Sequence, residues 1–231
     1  MRLTDEQIEL YSRQIILREV GGTGQAVLRA ARVAVLGGGA AAEICTSYLV
    51  GAGIGLVDAY RRHSDGERTY LPLPMPERRT ADATFGELDR SRRAAITTYD
   101  VVLDLDPSRS SVTAARRDAT PLPTRLGFVI LRTDAQGALQ LLLLPAGTGC
   151  PVCCPPAGEG SASDAPEADP IASASAGALA ALACCRWLLG IGGDTGARTL
   201  VLAADGTTWL EDAPPARTRC LRGCPPPTHP V

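Results

Sequence analysis

Residues Arg32 to Tyr60 read RVAVLGGGAAAEICTSYLVGAGIGLVDAY, and their reading decides the fold. Val33 to Leu36 is a short apolar, β-branched run that stops at Gly37-Gly38-Gly39, and Ala40 to Val50 behind it carries a helical pattern of small and apolar residues. The stretch therefore predicts a strand, a tight turn and a helix. A second strand, Ile54 to Val57, ends on Asp58, about twenty residues beyond the first glycine, where a dinucleotide-binding fold places the acid that accepts hydrogen bonds from a ribose. The fingerprint is Gly37-x-Gly39-x-x-Ala42. Alanine in the third place is tolerable because that position serves helix packing rather than phosphate approach. The predicted cofactor contacts are Gly37, Gly39, Ala42 and Asp58. Such a unit serves NAD enzymes, FAD enzymes and ATP-using adenylyltransferases alike, and it also occurs as a scaffold that keeps the turn and binds nothing.

Outward from this unit, 231 residues with 45% hydrophobic content suffice for one domain with a full core, and the alternation of helices and strands makes it α/β. A net charge of -2 and a pI near 5.7 argue against nucleic acid or a membrane surface as partner. Every basic side chain other than histidine is arginine, so no lysine in this chain contacts a phosphate. Met1 to Leu10 lacks the apolar core of a secretion signal. The longest apolar segment, Ile171 to Ile191, carries Ser173, Ser175, Arg186 and much alanine, and reads as a buried helix rather than a membrane span. The expected location is cytoplasmic, where cysteines serve metal or thiol chemistry before disulfides.

The chain opens with Thr4-Asp5-Glu6-Gln7, a capping-box pattern, followed by Ile8, Leu10, Tyr11, Ile15 and Ile16 as an amphipathic helix. Gly21-Gly22 ends this arm, and Gln25 to Arg32 forms a short helix leading into the first strand. This preface with its glycine turn, YSRQIILREVGGTGQAVLRAARVAVLGGG, resembles the E1-like activating-enzyme superfamily, the MoeB, ThiF and HesA group. Members begin with a tyrosine-x-arginine-glutamine helix, a glycine turn and a Gly-x-Gly-x-x-Gly strand and helix. The likeness extends along nearly the whole chain. Asp100-Val101-Val102-Leu103-Asp104 is a buried strand with an acid at its carboxyl edge, where open α/β sheets bind ligands. Phe128 to Leu131 and Ala138 to Leu144 are strands around a turn at Asp134-Ala135-Gln136-Gly137. Thr199 to Ala203 and Thr207 to Leu210 form a hairpin. The predicted architecture is a Rossmann-like, mostly parallel sheet with flanking helices in one domain over 1-231. It divides into an N-terminal helical arm (1-31), a nucleotide-binding half (32-144) and a zinc and carrier-binding half (145-231).

Cys150-x-x-Cys153, followed about seventy residues later by Cys220-x3-Cys224, is a four-thiolate layout suited to tetrahedral zinc. The same spacing also admits free buried thiols or redox use. In the resembled family paired cysteine knuckles at these places hold a structural zinc, which implies a closed four-cysteine zinc staple here. Cys154 is an odd thiol beside it. Cys45, Cys184 and Cys185 lie in apolar helical stretches and read as core residues. His63 and His229 read as solvated loop residues.

The resemblance implies adenylation, in which the C-terminal carboxylate of a small ubiquitin-like or sulfur-carrier protein, or of a peptide, attacks the α-phosphate of ATP. Cations must then stabilise the departing pyrophosphate, and a carboxylate must hold magnesium. Family members supply an asparagine-leucine-x-arginine-glutamine segment, a lysine and an aspartate after the next strand. Here the stretch from Ala59 to Asp100 contains neither that segment nor a lysine. Pro107 falls where the metal-binding aspartate belongs, although Asp106 serves if the loop shifts by one, and Asp104 is the other candidate. Arg61 or Arg62 stands near the lost cation, in a stretch that also reads as a hydrated loop. The chain is short between Asp58 and Asp104, and Gly158 to Pro170 lacks the family's sulfur-accepting or conjugating cysteine. Two function classes follow. One is a competent adenylyltransferase using ATP and magnesium. The other, favoured by the altered phosphate and metal residues, is a pseudoenzyme subunit that binds ATP weakly. It would donate Arg13 of Tyr11-Ser12-Arg13-Gln14 in trans to the site of an E1-like partner in a homo- or heterodimer. A nicotinamide oxidoreductase leaves the opening helix and both cysteine knuckles unexplained.

Overall fold

The computed structural model describes residues 3–62, 70–72, 98–105, 127–133, 138–149, 169–192, 196–202 and 208–212. Among these, five helices and eight strands follow in order: α1 (Asp5–Leu10), α2 (Ser12–Ile15), α3 (Gly21–Ala30), β1 (Arg32–Leu36), α4 (Gly39–Gly51), β2 (Leu56–Arg62), β3 (Tyr70–Pro72), β4 (Val101–Asp104), β5 (Gly127–Thr133), β6 (Leu139–Leu144), α5 (Pro170–Leu189), β7 (Arg198–Leu202) and β8 (Trp209–Asp212). The strands form one sheet in the order β3-β2-β1-β4-β5-β6-β7-β8. Strands β2, β1, β4 and β5 are parallel, as in a Rossmann-type unit, whereas β3 and the β6-β7-β8 edge pair antiparallel. The expected α/β class is present. The Rossmann-like part of the sheet, β2-β1-β4-β5, is parallel, and the carboxyl-terminal strands extend it through antiparallel β5-β6, β6-β7 and β7-β8 pairings, with α5 between β6 and β7.

Period-two alternation sorts the strands into two faces. Val33, Val35, Val57, Ala59, Val101, Leu103, Val129, Leu131 and Leu141 share one face and pack with α4 and α5 in a continuous core. Small residues let the two helices close on the sheet and on each other. Ala41, Ala42 and Cys45 of α4 are buried, as are Ala172, Ala176, Gly177, Ala180 and Cys184 of α5. A Cβ on Gly177 would land on the Ala41 carbonyl oxygen, so the helices meet there backbone to backbone. The segment long and apolar enough to cross a membrane is thus a helix laid on this core. Asp169 caps α5 by accepting the Ile171 and Ala172 amides, Pro170 opens it, and Gly190 at φ 65° closes it.

The arm docks on the carboxyl end of α4. Thr4 and Gln7 form the reciprocal capping box that the sequence predicts. Tyr11 is buried over Gly53, Gln14 Nε2 donates to the Gly51 carbonyl at 3.1 Å, and Gln25 Nε2 donates to the Ala52 carbonyl at 3.0 Å. These bonds satisfy carbonyls that the end of a helix leaves unpaired. Gly21-Gly22, read as the end of the arm, instead begins α3. Gly21 at φ 58° makes the reversal out of the preceding turn, and Gly24 lets the Leu189 side chain of α5 approach.

Candidate active site

The glycine turn joins β1 to α4 at the carboxyl edge of the parallel strands. Gly37 at φ 129° and Gly39 at φ 73° occupy backbone conformations that other residues rarely adopt. Gly38 is the N-cap of α4 and offers no side chain to the first-turn amides. Those amides form the partial positive end of a helix. Among the described residues nothing stands within 4 Å of where a Cβ on Gly39 would lie, so they leave the approach to the turn open. Ala42 is fully buried in the helix packing.

Asp58 does not end its strand. β2 starts at Leu56 and runs to Arg62, and the parallel register sets Asp58 opposite Ala34 and Tyr60 opposite Leu36. Tyr60 is therefore level with the last residue of β1, its carbonyl accepting the Gly37 amide at 2.8 Å. Asp58 lies two residues deeper, about 7 Å back from the edge. It is buried, and Tyr99 Oη donates to its Oδ2 at 2.5 Å. The Tyr60 and Tyr99 hydroxyls are 3.2 Å apart. Burial, then the bond to Asp58, push the Tyr99 phenol well above the ordinary tyrosine range, so it remains a donor across the physiological range. The carboxylate expected to meet a ribose is therefore engaged inside the protein.

Asp104 is the last residue of β4, opposite Leu36 on one side and Ile130 on the other. It is fully buried and paired with Arg132 of β5, whose Nη2 lies 3.0 Å from Asp104 Oδ2. Arg132 Nη1 also donates to the Leu131 carbonyl. A buried carboxylate already neutralised by a guanidinium is a poor magnesium ligand, since the metal would have to displace both the arginine and the enclosing protein. The strand pairing thus gives Asp104 a different partner from the predicted one. Arg132 and Tyr99, which the sequence reading does not single out, complete the two buried pairs. The signal for Arg132 is an arginine ending the apolar run Phe128 to Leu131, in phase with Ile130.

Arg13 is exposed on α2, while its neighbours Tyr11 and Gln14 hold the arm to α4. It stands at the end of α4 remote from the glycine turn, a helix of 13 residues and so about 20 Å long. Ile16, 80% exposed, and Leu17 flank it on the solvent side. Cys45, Cys184 and Cys185 are core thiols, as the sequence predicts. Burial raises all three, Cys185 to about 11, and keeps them protonated. Asp106, His63, His229, Cys154 and the four predicted zinc ligands Cys150, Cys153, Cys220 and Cys224 lie outside the described residues. So do the side chains of Arg61 and Arg62. Among the described residues no cluster of histidine, cysteine, aspartate or glutamate is arranged to hold a metal.

No protein-family model matches the chain. It is 46% identical over 57 residues to the sulfur carrier protein adenylyltransferase of Thermus thermophilus, a match covering 25% of this chain and 21% of that protein. It is 47% identical over 53 residues to the molybdopterin-synthase adenylyltransferase of Salmonella typhimurium, covering 23% of this chain and 21% of that protein. The match thus spans about a fifth of these relatives' length. Among solved structures, E. coli MccB with ATP superposes with a TM-score of 0.63 at 13% identity, over 93% of this chain and 74% of that one. PaaA gives a TM-score of 0.57 at 13% identity, over 91% of this chain and 74% of that one. The chain thus shares a local stretch of sequence with sulfur carrier and molybdopterin-synthase adenylyltransferases, and its fold with MccB and PaaA.

Proposed function

We propose that this chain is an E1-like subunit that does not adenylate on its own and that donates Arg13 to the nucleotide site of an E1-like partner. The observation that carries this reading is the buried Asp104–Arg132 pair, which withdraws the carboxylate best placed at the carboxyl edge for magnesium. Tyr99 likewise engages Asp58, and the chain has no lysine for a phosphate. The arm remains intact. Arg13 stands beyond reach of its own glycine turn, so any nucleotide it meets belongs to another subunit, and the exposed Ile16 and Leu17 beside it offer apolar area for such a contact. Curated relatives adenylate sulfur carriers or act on molybdopterin synthase, and MccB is known in complex with N-formylated MccA. The carboxylate substrate of the assembled enzyme is, in this reading, the C-terminus of a small carrier protein or peptide.

The test is ATP–pyrophosphate exchange by the full chain, by a complete E1-like partner and by the two together, with a carrier C-terminus supplied. The chain alone gives no exchange, the pair exceeds the partner alone, and Arg13→Ala lowers that gain about a hundredfold or more while the complex persists. Exchange by the chain alone would instead establish a competent adenylyltransferase. A pair that does not form, or a gain indifferent to Arg13→Ala, would end the proposed role in trans.

A further inference from the structure

The Asp104–Arg132 pair does more than deny Asp104 to a metal. Parallel register makes Asp104 the neighbour of Leu36, the residue that leads into Gly37. The bond from Arg132 Nη2 to Asp104 Oδ2 therefore draws the guanidinium over the end of β4, one strand spacing, or about 5 Å, from the strand that feeds the turn. Both groups lie at the same carboxyl edge of the sheet as the first-turn amides of α4, on the face opposite the one that α4 covers. A permanently charged arginine with only 9% residual exposure is costly to keep, and replacing such a pair by apolar residues often stabilises a fold. A planar fork of donors suits phosphate oxygens as well as a carboxylate, so an incoming phosphate can take the place that Asp104 now holds.

We propose that Arg132 is the phosphate-directed cation of this site, held in place by Asp104, and that it makes nucleotide binding by this chain indifferent to magnesium. This rests on the reading of the glycine turn as a nucleotide site. In it Asp104 is a positioning residue whose negative charge competes with the phosphates for the same guanidinium. That competition accounts for weak binding and gives the substitutions opposite signs. Neutralising Asp104 frees the cation, and removing both charges abolishes it.

Calorimetric titration of the full chain with adenosine and with ATP, each in magnesium and in EDTA, tests the proposal. Adenosine binds, ATP binds about tenfold tighter, and EDTA changes neither. Asp104→Asn tightens ATP about tenfold further and leaves adenosine unchanged, an effect that a purely structural ion pair would not produce. The double variant Asp104→Asn with Arg132→Gln leaves no uncompensated buried charge, so it keeps the fold, and its ATP affinity falls to that of adenosine. Equal affinities for adenosine and ATP in the unmodified chain, or weaker ATP binding by Asp104→Asn in magnesium, would overturn the role of Arg132 with the nucleotide site intact. Failure of adenosine itself to bind would remove the nucleotide reading and this inference together.

Discussion

The two ends of α4 both carry glycine at positive φ, Gly53 at 83° and Gly39 at 73°, but in opposite surroundings. At the carboxyl end, glycine permits crowding. A Cβ on Gly53 would come within 2.6 Å of Gln25 Nε2 and 2.7 Å of the Tyr11 ring, and one on Gly55 would land on the Arg29 carbonyl oxygen. At the amino end, no atom of the described residues lies within 4 Å of the Cβ that Gly39 lacks. One end is consumed in attaching the arm. The other is kept clear, with amides directed at the open sheet edge. Glycine content alone does not separate a joint from a site. What stands beside the missing side chain does.

The largest effect that would break this contrast is expected at Gly55. The obstacle to Gly55→Ala is backbone on α3, which cannot swing aside as a side chain tip can, so the β2 entrance or α3 must move. We expect a loss of about 3 kcal/mol in denaturant titration, at the upper end of overpacking costs. A loss under about 0.5 kcal/mol would show that the joint is looser than its geometry.

At the open end, Gly39→Ala meets no atom of the described residues and is expected to cost the strain of a left-handed backbone, about 1 kcal/mol. Its methyl group nevertheless stands where a phosphate would approach the helix amides. ATP affinity should therefore fall at least tenfold, more than the stability change accounts for. Unchanged affinity, measured by calorimetry, would mean that the open edge is not where nucleotide binds.

Local patterns made much of the fold legible. Val33 to Leu36 followed by three glycines reads directly as β1 and its turn, and Asp169, Pro170 and Gly190 bracket α5 as capping chemistry demands. The capping box at Thr4 is legible for the same reason, since both partners lie within one helical turn. The bounds of β2 are harder to read because Ile54 between two glycines looks like a strand start, although it is buried at the joint while β2 continues through Tyr60 by pairing with β3. The site is only half legible. Asp58 and Asp104 are visible as acids, but Tyr99 and Arg132 reach them across 41 and 28 residues of sequence. Which side chains meet there is set by the register of neighbouring strands, and no local periodicity reports it.

The smallest expected effect sharpens the account of the arm. Gln14 satisfies one carbonyl at the end of α4, and truncation to alanine loses that bond while water can still reach a part-buried site. Gln14→Ala should cost about 0.5–1 kcal/mol, the net worth of an ordinary hydrogen bond. Tyr11 and Gln25 remain to hold the arm, so the fold survives and α2 becomes the part that loosens. Amide exchange should quicken in α1 and α2 and stay unchanged in β1 and α4. Because Arg13 precedes Gln14 directly, a loosened α2 also blurs the position of Arg13, the residue proposed to act on a partner. Stimulated ATP–pyrophosphate exchange should then drop several-fold, less than with Arg13→Ala, while the complex still forms. If exchange protection is lost across α4 as well, Gln14 is part of the core rather than a clasp on it. If protection falls in α2 and the stimulated rate does not, accurate placement of the arm is not what the partner uses.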